Sequence, residues 1–196
     1  MMFNNNNNNN SNNYLLQAAL ETQDFFELHK WDFTFIGGLA VMRWGELRTT
    51  IDVDSTLLTM FIDDEKYIST MLNHFQSRIT DALQFAMNNR VLLLFASNGI
   101  GIDISLGGLP FEQQMIKRSS LYEFETDYVL RTCSAEDLII LKAFANRDKD
   151  WLDVKSILLR QKGKLDLRYI KENLASLLYE LKESPEIVSK FDELSE

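Results

Sequence analysis

Cysteine is almost absent: Cys133 is the only one in 196 residues. That excludes an internal disulfide and any cysteine-based zinc cluster, and leaves Cys133 as a small buried filler. No apolar run approaches the roughly 20 residues that cross a bilayer. The N-terminus is polar, so no secretory signal is expected. Histidine is scarce, and His29 and His74 have no partners at ligand spacing; surface or boundary positions are expected for both. An excess of basic charge is also missing. The formal net charge is −9, which argues against a surface basic all over, as nonspecific DNA binders have. The chain reads as cytoplasmic.

What is present is an ordinary globular composition, 45% hydrophobic and 25% charged. The length suits one good-sized core, or a core with a small appended domain. Residues 1–13, "MMFNNNNNNNSNN", have almost nothing to bury and are expected to be a disordered Asn-rich tail. Tyr14 to Lys30 carries apolar residues at helical spacing. "FTFI" is a short strand ending at Gly37-Gly38, "LAVMRWGE" a short helix, and "TTIDVDSTLLTMFI" a long strand. Glu65 to Asn88 keeps helical spacing through Ile68, Leu72, Phe75, Ile79, Leu83 and Met87. "RVLLLFASNGIGIDISL" is a hairpin turning at Asn98-Gly99. A helix starts after Pro110, and "DYVLRTC" is one more strand. From Ser134 onward everything looks helical. Ser134 and Asp137 make a capping box, and two further helices follow at about 149–161 and 165–181, with Gly163 breaking between them. There is no internal repeat. The organisation is a mixed α/β core, 14–132, followed by a C-terminal helical subdomain, 133–196.

One stretch does not fit a simple strand. Residues i and i+2 of a strand point to the same side, so Asp52 and Asp54 share a face, with Ile51 and Val53 expected in the core behind them. Two carboxylates this close repel unless a proton or cation is shared between them. A hard divalent ion such as Mg²⁺ resolves the repulsion, because it takes oxygen ligands. In "GIDISL", Asp103 likewise alternates against Ile102 and Ile104. The alternative is that all three are solvent-facing acids on an amphipathic sheet. Gly37-Gly38 adds a second feature: after a strand and before a helix, glycines let backbone N–H groups approach an anion. A phosphate cradle on one strand and a metal site on the next are what an Mg²⁺–nucleoside triphosphate needs.

With these residues in place, the chain resembles the nucleotidyltransferases of the DNA polymerase β superfamily. Their Gly-Gly or Gly-Ser turn, following D-x-D and later third acid read here as "GGLAVMRWGELRTTIDVD" and "GIDIS". Through "SAEDLIILKAFANRDKDWLDVKSILL" it is most similar to the bacterial AbiEii-like, abortive-infection and toxin–antitoxin members. The resemblance runs from about Phe33 to Leu159. It implies an α/β (α+β) fold, with a mixed-sheet nucleotidyltransferase core and a C-terminal helical segment. It also implies transfer of a nucleoside monophosphate from a nucleoside triphosphate to a hydroxyl, with Mg²⁺ or Mn²⁺ as cofactor. Gly37 and Gly38 would hold the triphosphate, and Asp52, Asp54 and Asp103 the metal. Asp103 would also help deprotonate the acceptor. Lys142 would reach the triphosphate or base, and Arg48 and Arg147 would pair with phosphate. Gly38 stands where many relatives have serine, and Ser55 where an aliphatic residue is common.

The partners this implies are a nucleoside triphosphate, an RNA acceptor with tRNA foremost, and an antitoxin protein; no membrane is involved. The segment Lys142–Lys171 is positive within the acidic chain, with Lys142, Arg147, Lys149, Lys155, Arg160, Lys162, Lys164, Arg168 and Lys171 against Asp148, Asp150, Asp153 and Asp166. It suits RNA phosphates, or is a solvated helical face. A small hydroxyl compound of the aminoglycoside type is a second acceptor class, and a non-catalytic binding partner a third reading. Asp150 and Asp153 either complement a helix dipole or steer Lys142 or Arg147. Trp31, Trp44 and Trp151 are expected in core packing rather than stacked on a base.

Overall fold

Leu15, Leu16, Ala18, Ala19, Phe25 and Phe26 are all buried, because the segment that carries them is a helix laid against a sheet. The computed structural model describes residues 6–46 and 49–195, and this first helix, α1, spans Asn6–Leu28. It begins well before Tyr14, so the Asn-rich tail expected to be disordered is helical from Asn6; residues 1–5 lie outside the described residues. Extending a helix costs little once a packed segment has nucleated it. Asn13 also accepts bonds from Gln17 Nε2 and the Tyr128 hydroxyl.

The order continues as β1 (Phe33–Phe35), α2 (Gly37–Trp44), β2 (Asp52–Leu58), α3 (Asp64–Leu72), β3 (Gln76–Ser77), α4 (Ala82–Asn89), β4 (Val91–Phe95), β5 (Gly101–Gly107), α5 (Pro110–Arg118), β6 (Ser120–Glu125) and β7 (Tyr128–Thr132). The helices α6 (Ala135–Ala145), α7 (Asp148–Arg160), α8 (Leu167–Glu180) and α9 (Glu186–Ser195) complete it. Among the described residues the strands form one mixed sheet in the order β3-β4-β5-β2-β1-β7-β6. Central β2 runs parallel to β5 and antiparallel to β1, and β1 meets β7 in parallel. The fold is mixed α/β.

Two apolar clusters hold it together. One joins α1, α3 and α4 to the sheet through Phe26, Phe35, Val53, Ile68, Met71, Leu92, Ile102 and Ile104. The other is built on α6, whose Leu138, Ile139, Ile140 and Ala143 meet Val154, Ile157, Leu174 and Phe191. Ala40 and Val41 of α2 and Met115 of α5 belong to this second cluster, so α2 is packed between the strand core and the C-terminal helices. A helix apolar nearly all round, like α6, has to be enclosed on all sides.

Three local expectations change. The long strand shortens to Asp52–Leu58, and Ile51 is 76% exposed rather than in the core; Met60, Phe61 and Asp63 take left-handed backbone beyond the strand. The single helix read over 65–88 is two helices with β3 between them. Phe75 and Ile79 still reach the same core, so the apolar spacing crosses a break in the backbone. Strand β6 was missed because it is exposed at the sheet edge and has almost no buried face to alternate.

Candidate active site

The parallel register of β2 and β5 sets Asp54 directly opposite Asp103. Val53 and Ile102 turn the other way and are fully buried, so the core side of each strand orients its acids. Asp52, two residues before Asp54, joins them. One carboxylate oxygen from each of the three lies within 4.8 Å of the others. Like charges directly opposite on neighbouring strands destabilise a sheet. Burial, Asp52 and Asp103 push the Asp54 carboxyl up to about 6, against lowering by the Gly38 backbone N–H and the Lys142 charge. Asp103 is raised by burial, partly offset by Arg78. This all-oxygen donor set is compatible with a hard divalent cation.

The first turn of α2 is cut to fit Asp54 and Thr50. Gly37 has φ +56°, and a Cβ there would stand 1.9 Å from Asp54 Oδ2. At Gly38 a Cβ would stand 2.1 Å from Thr50 Oγ1. The Gly38 backbone N–H favours the charged form of Asp54.

Lys142 reaches the site from α6. It is 7% exposed, and its Nζ is bonded to Asp150 Oδ1 at 3.1 Å and Asp153 Oδ2 at 2.9 Å. Asp150 stands in the first turn of α7, where it complements the helix dipole, and with Asp153 it also holds Lys142. Arg147 also bonds Asp150 through both Nε and Nη2. Burial alone would raise the Asp150 pKa, but bonds from Arg147 and Lys142 bring it below the usual carboxylate range. Lys142 and Arg147 both act electrostatically on or with Asp54, so this buried charge network borders the acid cluster. Lys142 is directed at its two carboxylates rather than into open space for a triphosphate or base. Arg48 lies outside the described residues.

Two neighbours escaped the sequence reading. Arg78 bonds Asp103 across 25 residues of chain, and no spacing pattern signals such a pair. Thr50 packs against Gly38 and donates to Asp52 Oδ1 at 3.4 Å. The tryptophans are structural: Trp44 Nε1 bonds Cys133 O, Trp151 Nε1 bonds Asn146 Oδ1, and Trp31 packs among Phe25, Phe26 and Tyr67. His29 and His74 both pack on Phe25. Cys133 is fully buried, and its thiol is pushed upward by that burial.

A mixed sheet here presents three convergent carboxylates beside a glycine turn, an arrangement compatible with a nucleotidyltransferase. Comparison by sequence agrees: residues 15–193 match the family described as nucleotidyltransferase of unknown function (DUF6036), and the chain belongs to that family. No curated protein matches its sequence. Among solved structures, it is similar to an antigenic nucleotidyltransferase-like protein from Paracoccidioides brasiliensis, at 13% identity and TM-score 0.52, covering 91% of this chain and 94% of the other. It is also similar to the antibiotic-resistance factor ANT(2'')-Ia, at 14% identity and TM-score 0.54, covering 85% and 94%. At such identities the likeness is one of fold.

Proposed function

We propose that this chain moves a nucleoside monophosphate from a nucleoside triphosphate to a hydroxyl acceptor, using Mg²⁺ or Mn²⁺. The observation that carries this is the convergence of Asp52, Asp54 and Asp103 within 4.8 Å, against a turn where only glycine fits. Asp52, Asp54 and Asp103 hold the cation, which when bound supplies positive charge to the phosphate oxygens. The α2 terminus at Gly37 and Gly38 faces the triphosphate. Asp103 accepts the proton as the acceptor oxygen bonds the α-phosphorus, and the bond to the β-phosphate breaks to release pyrophosphate. Lys142 holds positive charge beside Asp54, braced by Asp150 and Asp153, and Arg147 lies at the exposed edge, where its guanidinium meets phosphate.

The acceptor on this reading is RNA, with tRNA foremost. Lys149, Lys155, Lys162 and Lys164 follow the site on α7 and the turn after it, and none has an ion pair among the described residues. On this reading the chain is AbiEii-like, with a toxin or phage-defence role in the cytoplasm and an antitoxin protein as partner. One observation favours a small hydroxyl compound instead: Lys142, Arg147, Arg168 and Lys171 are neutralised within the chain, which leaves less charge for a polyanion. No helix among the described residues is long and apolar enough to cross a membrane.

Label transfer tests both. Protein and Mg²⁺ are mixed with each α-labelled nucleoside triphosphate and either total tRNA, an aminoglycoside set, or nothing further. Label on tRNA, lost in Asp52→Ala/Asp54→Ala, supports the first reading; label on a drug supports the second. No transfer by a folded protein leaves a nucleotidyltransferase fold that only binds.

A further inference from the structure

The third acid of the cluster already has a cation. Arg78 sits between β3 and α4, and its Nη1 donates to Asp103 Oδ1. Its backbone is anchored, with the Arg78 N–H bonded to Leu93 O at 3.0 Å. Its guanidinium carbon lies 5.9 Å from the Phe95 ring centroid. The seat for the guanidinium is Gly101, two residues before Asp103 on the same face of β5. A Cβ at Gly101 would stand 3.1 Å from Arg78 Nη1 and 3.8 Å from Asp52 Cβ. The arginine thus lies over a position of that face without a side chain, beside the Asp103 carboxylate.

Exposure separates this pair from the other cation pair bordering the site. Lys142, Asp150 and Asp153 side chains are 9%, 0% and 5% exposed, and a sealed pair of that kind is costly to open. Arg78 and Asp103 are 32% and 31% exposed. Both are in reach of water, where an ion pair contributes little net stability and exchanges partners readily.

We infer that Arg78 is the resident counter-cation of Asp103, a positioning residue that a divalent ion must displace before the three carboxylates act together. Metal binding here is then an exchange of one cation for another, and the affinity of the site is set partly by Arg78. The inference rests on the metal-dependent reading above.

The test is direct titration of the full chain with Mn²⁺ alone, followed by calorimetry and by the spin resonance of free Mn²⁺. The proteins are wild type, Arg78→Ala, Arg78→Lys, Gly101→Ala and the control Asp54→Asn. Removing a competing ion pair of this exposure raises affinity roughly twofold to fivefold in Arg78→Ala. Arg78→Lys keeps the competing charge and stays within about twofold of wild type, on the same estimate of pair strength. Gly101→Ala crowds the guanidinium and shifts affinity in the same direction as Arg78→Ala. In chelator, Arg78→Ala melts below wild type, because Asp103 has lost its partner, and it gains more on Mn²⁺ addition. Unchanged or weaker binding by folded Arg78→Ala overturns the inference and makes Arg78 a residue that merely orients Asp103. The metal-dependent reading then stands, provided wild type binds and Asp54→Asn does not. If no protein in the set binds Mn²⁺, that reading falls and takes this inference with it. If Arg78→Ala does not fold, Gly101→Ala decides alone: tighter binding than wild type supports the exchange, and equal or weaker binding rejects it.

Discussion

Gly37 and Asp54 occupy space that a single methyl group would deny them. The Cβ of any other residue at 37 would overlap the Asp54 carboxylate, at 1.9 Å from Oδ2 and 2.5 Å from Cγ, and φ there is +56°. Gly37→Ala is strained by its backbone, at about 1 kcal/mol, and must also push Asp54 out of the cluster. We expect a melting temperature lower by several degrees and loss of Mn²⁺ binding in calorimetry. Unaltered binding would show that the turn does not position Asp54.

The raised Asp54 makes a pH prediction. Its folded pKa of about 6 lies above the ordinary value near 4 for an unfolded aspartate. Between those values the folded state holds more protons, so metal-free stability falls as pH rises from 4 through 6 and stays low above it. Asp54→Asn removes that cost. At pH 7.5 in chelator it should be more stable than wild type by about 3 kcal/mol, with most of the difference gone near pH 4. Urea melts at both pH values measure it. A variant equally stable at both would mean that Asp54 carries no penalty.

The buried network beside the cluster predicts the opposite sign. Asp150 shares both its oxygens between Lys142 and Arg147, and Asp150→Ala leaves Lys142 with Asp153 alone. The loss should be about 2–4 kcal/mol, as when one partner of a buried pair is removed. Denaturant unfolding gives the value. A change under about 0.5 kcal/mol, the range of ordinary surface substitutions, would show that the pair is dispensable.

Ser55 follows Asp54 and turns into the core. It is fully buried, and among the described residues its Oγ has no hydrogen-bond partner. An unsatisfied buried hydroxyl costs about 1–3 kcal/mol. Ser55→Ala should therefore stabilise the protein by about 1 kcal/mol, read as a higher melting temperature, with nucleotidyl transfer unchanged. A lower melting temperature would mean that the hydroxyl fills space the core needs.

Local patterns carried much of the fold. The Asn98-Gly99 signal marks the hairpin, since Gly99 takes φ +83° and Asn98 Oδ1 accepts from Ile100 N–H. Ser134 caps α6 by accepting from the Asp137 N–H. Helical spacing failed where apolar residues from broken backbone fed one core, as at Phe75 and Ile79, and alternation failed on exposed β6. These are the cases where burial follows packing across the chain rather than local period.

The same division runs through the site. By sequence alone, period 2 places Asp52 and Asp54 on one face, and a Gly-Gly turn ends the strand before them, because both depend only on neighbours along the chain. Whether Asp103 meets them depended on β5 pairing beside β2, a contact between residues 49 apart in sequence, as Asp54 is from Asp103. That Lys142 is locked to Asp150 and Asp153, and that Arg78 sits on Asp103, was likewise decided only by tertiary structure. Charge partners are chosen by distance in space, and in a folded chain that distance bears no fixed relation to separation in sequence.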